Sequence, residues 1–130
     1  MQVRMLLILA AAGALGTLSR YGLGGLTEKV NNTGFPYGTL LINLCGCFII
    51  GLVMQVALST NFFSPTARTA ITIGFLGAFT TFSTFSYESV KLIENNEWIP
   101  VLLNVTLNAG GGITLTLLGT ALGKTLTGGI

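Results

Sequence analysis

Histidine is absent from the 130 residues, and charged side chains make up only 8% of them. A soluble domain carries about 25% charged residues, so a shortage this deep excludes an ordinary water-exposed fold. The six basic and four acidic residues leave a formal charge of +2 but form no cluster, which argues against a nucleic-acid surface. There is no metal-spaced set of His or Cys, no GxxxxGK[ST] phosphate loop and no nucleophile with a partnered base. Catalysis and ATP-driven pumping are therefore not expected. The two cysteines, Cys45 and Cys47, lie two apart in an apolar run, where their side chains diverge; they read as small core residues, not a disulfide.

What remains is apolar: 51% of the residues are hydrophobic and mean hydropathy is +0.78. The chain reads as an all-α integral membrane protein, a single four-helix domain over residues 1–130. Taking about 20 apolar residues per span, helices are expected near 6–26, 38–59, 68–91 and 98–122. Arg4, the leucine-rich run after it and Ala10-Ala11-Ala12 imitate a secretory signal, but the apolar run continues past that point and predicts a retained helix. An even number of spans puts Arg4, Arg68 and Lys124 on one side and Lys29 and Lys91, with Arg20 close by, on the other. That balance does not fix an orientation under the positive-inside rule.

The chain is organised around Gly74–Glu88, which mixes phenylalanines with hydroxyls at membrane-like hydrophobicity. On a helix, Phe82 and Phe85 fall on one side while Thr81, Thr84 and Glu88 form a neighbouring stripe. Gly74 and Gly77 loosen the backbone just before Thr80 and Thr81, so the third helix is expected to be broken near its middle. Unwound backbone inside a membrane usually lines a site.

Other polar positions point the same way. Arg20, at the end of the first helix, is either an interfacial anchor beside Tyr21 or an anion-attracting mouth. Thr39 and Asn43 share a face of the second helix, and the Asn43 amide, buried in hydrocarbon, either bridges helices or donates to an anion. Glu88, at the far end of the polar stripe, is either a solvated end residue or a carboxylate for proton coupling, for which a lone carboxylate is weak evidence. Asn104 and Asn108, at i and i+4 in the fourth helix, face protein, and Gly119 and Gly123 allow close helix approach. Asn31-Asn32-Thr33 and Asn104-Val105-Thr106 match a glycosylation sequon without a compartment to support it. A donor-rich, mostly uncharged track suits a small anion, since hydroxyl and amide groups replace its hydration without trapping it. Ring edges of phenylalanine can face an anion as well. Four helices enclose little alone, so self-association is the economical way to complete a pathway.

Gly38-Thr39 with Asn43 and Gly46, then Gly74-Phe75-Leu76-Gly77 through Thr80-Thr81-Phe82-Ser83-Thr84-Phe85-Ser86 to Glu88, resembles the Fluc or CrcB family of fluoride channels over nearly the whole chain. The resemblance implies an antiparallel, dual-topology homodimer in a microbial inner (cytoplasmic) membrane, with two pathways for passive, selective fluoride export. It implies that Phe82 and Phe85 line the pores edge-on and that Asn43, Thr39, Ser83, Thr84, Glu88 and Arg20 belong to the pathway. It also implies a structural Na+ at the dimer centre on the backbone carbonyls of Gly77 and Thr80. The fourth helix departs from the family pattern of tyrosine and serine, so Asn104 and Asn108 are candidate pore contacts only. The alternative from another class is a four-helix, proton-coupled multidrug exporter. That reading needs a carboxylate in the first helix, and Glu28 is expected beyond it.

Overall fold

The computed structural model describes residues 3–128 and, among them, contains helices and no strands. Four helical stretches are long and apolar enough to cross a membrane: Val3–Lys29, Tyr37–Ser59, Pro65–Glu94 and Trp98–Leu126. The first belongs to α1 (Val3–Val30) and the second is α2 (Tyr37–Ser59). The third is composite: α3 (Pro65–Thr69), a π-helical segment (Ala70–Leu76), α4 (Gly77–Phe79) and, after two extended residues, α5 (Phe82–Glu94). The fourth joins α6 (Trp98–Thr106), a second π segment (Leu107–Gly111) and α7 (Gly112–Leu126).

Three boundaries differ from the sequence expectation for identifiable reasons. The first helix does not end near Leu26 but runs on to Val30, with the Thr27 hydroxyl turned back onto the helix, where it bonds to the carbonyls of Leu23 and Gly24 at 3.2 and 2.7 Å instead of ending it as a cap. Glu28 therefore lies inside α1, not beyond it. The third span begins earlier, at Pro65, where Ser64 caps the Ala67 N–H and proline takes the first turn. At its other end, Asn96 adopts φ 62° and the N–H groups of Asn96 and Glu97 return to the carbonyls of Ile93 and Leu92. This is a Schellman stop with asparagine in the left-handed position.

The second span is the centre of the molecule. It packs on α7 along its length, on α1, and on the pieces of the third span, while α1 lies against the first π segment and α4. The α2–α7 contact is close because side chains are missing from it. A Cβ on Gly51 would strike the Thr116 backbone, and one on Gly119 would strike the Phe48 carbonyl. Threonine hydroxyls then bridge the two backbones, Thr116 donating to the Cys47 carbonyl at 3.1 Å. The buried core, Ile42, Leu76 and Phe79 with Phe75 and Cys45 against it, sits directly before the two extended residues. Both cysteines are free.

Candidate functional site

Thr80 (φ −79°, ψ 159°) and Thr81 (φ −152°, ψ 110°) are the extended pair between α4 and α5. Extended backbone here leaves main-chain groups to be satisfied away from water. Thr80 returns both its N–H and its hydroxyl to the Leu76 carbonyl, at 3.0 and 2.9 Å. Thr81 is satisfied from another span. Its N–H donates to Asn43 Oδ1 at 2.8 Å, and its carbonyl accepts from Asn43 Nδ2 at 3.2 Å. The Asn43 side-chain amide thus pairs with Thr81 on both edges, as a neighbouring strand would. Thr81 Oγ1 caps α5 by accepting from the Thr84 N–H at 3.2 Å, and donates to Thr84 Oγ1 at 2.9 Å. Ser83 Oγ lies 3.4 Å from the same hydroxyl. Gly46 is required opposite this point, since a Cβ there would collide with the Thr80 methyl group.

Two grooves meet at Thr81. The first, about 410 Å³, is mostly apolar; Asn43, Gly77, Thr80, Phe82, Phe85 and Asn108 line it. The rings of Phe82 and Phe85 are 5.4 Å apart at 55°, and Phe82 is 79% exposed. The second, about 480 Å³, is more polar; Arg20, Glu28, Thr39, Thr84 and Glu88 line it. There Thr39 donates to Glu88 Oε1 at 2.7 Å across 49 positions of sequence. Glu88 Oε2 is buried and has no protein partner.

The expected residues are therefore divided, not strung on one track. Asn43 and the two phenylalanines belong to one groove; Arg20, Thr39, Thr84 and Glu88 belong to the other; Thr81 alone reaches both. Ser83 is exposed and lines neither. Asn104 also lines neither, being 0% exposed; its Nδ2 donates to Ser89 Oγ at 3.0 Å. Asn108 does line the first groove, but its side chain is engaged with Asn43 and Asn104. Thr81 as the shared node, Glu28 as a groove residue and Ser89 as a partner of Asn104 were not singled out from sequence. The available signal for Ser89 was its spacing, one turn after Phe85, which lets its hydroxyl reach the Phe85 carbonyl at 2.8 Å. The π segments before Thr80 and around Asn108 had no signal in the apolar periodicity, yet such turns recur at functional sites.

Comparison with known proteins identifies the family. The model of the family described as CrcB-like protein, Camphor Resistance (CrcB), matches residues 7–120. Among relatives, a protein of Dehalococcoides mccartyi (strain CBDB1) named fluoride-specific ion channel FluC is 45% identical over 121 residues, covering 93% of each chain. The protein of the same name from Geobacter sp. (strain M21) is 45% identical over 124 residues, 95% of this chain and all of its own. The one from Geobacter metallireducens is 47% identical over 117 residues, 88% of this chain and 94% of its own.

Proposed function

The chain belongs to the CrcB-like family, and from that premise we propose that it is a fluoride channel that exports the ion passively and lowers its level in the cytoplasm. It is a multi-pass membrane protein of four spans and not an enzyme. The observation that carries the reading is the meeting of two chemically different grooves at Thr81, one offering two asparagines and two phenylalanines, the other hydroxyls, an arginine and carboxylates. A small, strongly hydrated anion needs donors that replace water and do not hold it too firmly. The Thr84 hydroxyl, which accepts from Thr81 and keeps its own hydrogen, and the ring edges of Phe82 and Phe85 are of that kind; the Thr39 hydroxyl and the Asn43 amide join them by exchanging Glu88 and Asn108, respectively, for the ion. Arg20 at the polar groove attracts anions before they enter. No energy source is needed: the neutral acid crosses lipid and dissociates inside, and the membrane potential drives the anion out.

The working form is an antiparallel homodimer in a microbial cytoplasmic membrane. The apolar groove, open beside a phenylalanine 79% exposed, supports this, because a second copy would complete its missing wall. The extended Thr80–Thr81 pair is the break in the third span. A structural Na+ at the dimer centre fits one feature of that break. An unbroken helix would send the Thr81 N–H to the Gly77 carbonyl, but it goes to Asn43 instead, which releases a main-chain oxygen for a hard cation. Gly77 and Thr80 of both chains would hold the ion, which when bound supplies a fixed positive charge between the subunits. The multidrug-exporter alternative gains nothing from Glu28, which lies in the last turn of α1 and far from mid-span.

The test is efflux from potassium-loaded liposomes, read with a fluoride electrode after valinomycin, with chloride run in parallel. The expected result is fast fluoride loss that needs valinomycin, with no chloride loss. Fluoride leaving only under an imposed proton gradient would overturn the passive mechanism.

A further inference from the structure

The three asparagines of the interior form one directed chain of hydrogen bonds. Asn43 spends one Nδ2 hydrogen on the Thr81 carbonyl and the other on Asn108 Oδ1 at 2.9 Å. Asn108 Nδ2 in turn donates to the Asn104 carbonyl at 3.0 Å and to Asn104 Oδ1 at 2.9 Å. Asn104 Nδ2 donates to Ser89 Oγ at 3.0 Å, and Ser89 donates to the Phe85 carbonyl at 2.8 Å. The chain thus starts on the residue that caps α5 and returns to α5 one turn later. It passes through the second and fourth spans on the way.

Direction is fixed at the Thr81 end. Its N–H and C=O cannot exchange places, so the Asn43 oxygen must face the N–H. Turning the Asn43 amide over would set donor against donor at Thr81 N and acceptor against acceptor at Asn108 Oδ1. The same reasoning passes to Asn108, whose oxygen must face Asn43 and whose hydrogens must face Asn104. Only an amide can accept from one side and give two hydrogens to the other, and a serine at 108 could not do both. Asn104, at 0% exposed, has no water to substitute for a lost partner.

We propose that Asn108 is a positioning residue for the fluoride pathway: acting through Asn43, with Asn104 and Ser89 behind it, it holds the Thr81 backbone and so the start of the helix that carries Phe82 and Phe85. The inference rests on the channel reading for its functional half. Asn108 also competes with a permeating anion for the Asn43 hydrogen, so the strength of this bond sets how readily Asn43 is released to the pathway.

The experiment compares the wild type, Asn108→Ala, Asn43→Ala, their double variant and Asn104→Leu by fluoride efflux. Deuterium exchange of the peptide containing Thr81 is measured on each. Asn108→Ala is expected to slow efflux roughly tenfold, the order of effect for a buried amide left unpaired, and to speed exchange at the Thr81 amide. Because both residues act on one backbone group, the double variant should be no slower than Asn43→Ala alone. Asn104→Leu should shift exchange in the same direction by less. Unchanged exchange at Thr81 in Asn108→Ala, or fully multiplicative losses in the double variant, would overturn the proposal. The exchange arm stands without the Asn43 variants. If the wild type passes no fluoride, the channel reading fails while exchange still decides whether the asparagine chain holds Thr81.

Discussion

Thr39 and Glu88 were both legible as polar positions inside an apolar chain, but their pairing was not, because 49 residues separate them and no local pattern links a hydroxyl on α2 to a carboxylate on α5. The same holds for Asn43. Its type announced that it would need partners, and the extended backbone of Thr81 turned out to be the principal one. Sequence gives the demand of a buried polar group; the tertiary fold decides who meets it. At this scale the bond to Glu88 can be tested in isolation. Thr39→Val keeps the shape and removes the donor, leaving Glu88 with no hydroxyl on Oε1 beside an Oε2 that has no protein partner. Fluoride efflux should fall by about tenfold, the scale of a lost hydrogen bond to a carboxylate. Thr39→Ser, which restores the donor, should return most of it.

Helix existence was readable throughout from apolar run length, and helix ends and internal turns were not. Thr27, Glu28 and Lys29 look like an interface, yet Thr27 satisfies its hydroxyl on the helix's own carbonyls and α1 goes on to Val30. The π segments were invisible because one extra residue in a turn leaves composition unchanged. The GxxxG pair Gly119 and Gly123 was readable as a close-approach surface but not as to its partner, which is α2 of the same chain: Phe48 faces Gly119, and Gln55 with Leu52 faces Gly123. Gly119→Leu would push α7 off the Phe48 carbonyl, and backbone does not yield as a side chain does. A loss of roughly 1–3 kcal/mol is expected, seen as earlier thermal unfolding in detergent. Gly22→Ala, a helical glycine with open space where its Cβ would go, should leave the midpoint unchanged or slightly higher.

As a whole the molecule carries its six basic residues almost evenly at its two ends, with Arg4, Arg68 and Lys124 against Lys29 and Lys91 and Arg20 close to the latter pair. If copies insert both ways, as we propose, a single cysteine in the loop between α1 and α2 meets each side of the membrane in equal number. In a Cys45→Ser, Cys47→Ser background, Thr33→Cys should react with an impermeant maleimide to about half in intact cells, the remainder only after permeabilisation. Complete labelling, or none, would reject mixed orientation.

One further consequence follows from the way Asn43 sits on Thr81. The third span is a jointed rod: its own main chain holds the Thr80 side of the joint, while the Thr81 side is clamped by its neighbours, so the setting of its outer half is recorded in the second and fourth spans. Substitutions there can re-aim the phenylalanines without altering any of them. The aim of the two rings is thus written partly in Asn104 and Ser89, which line neither groove.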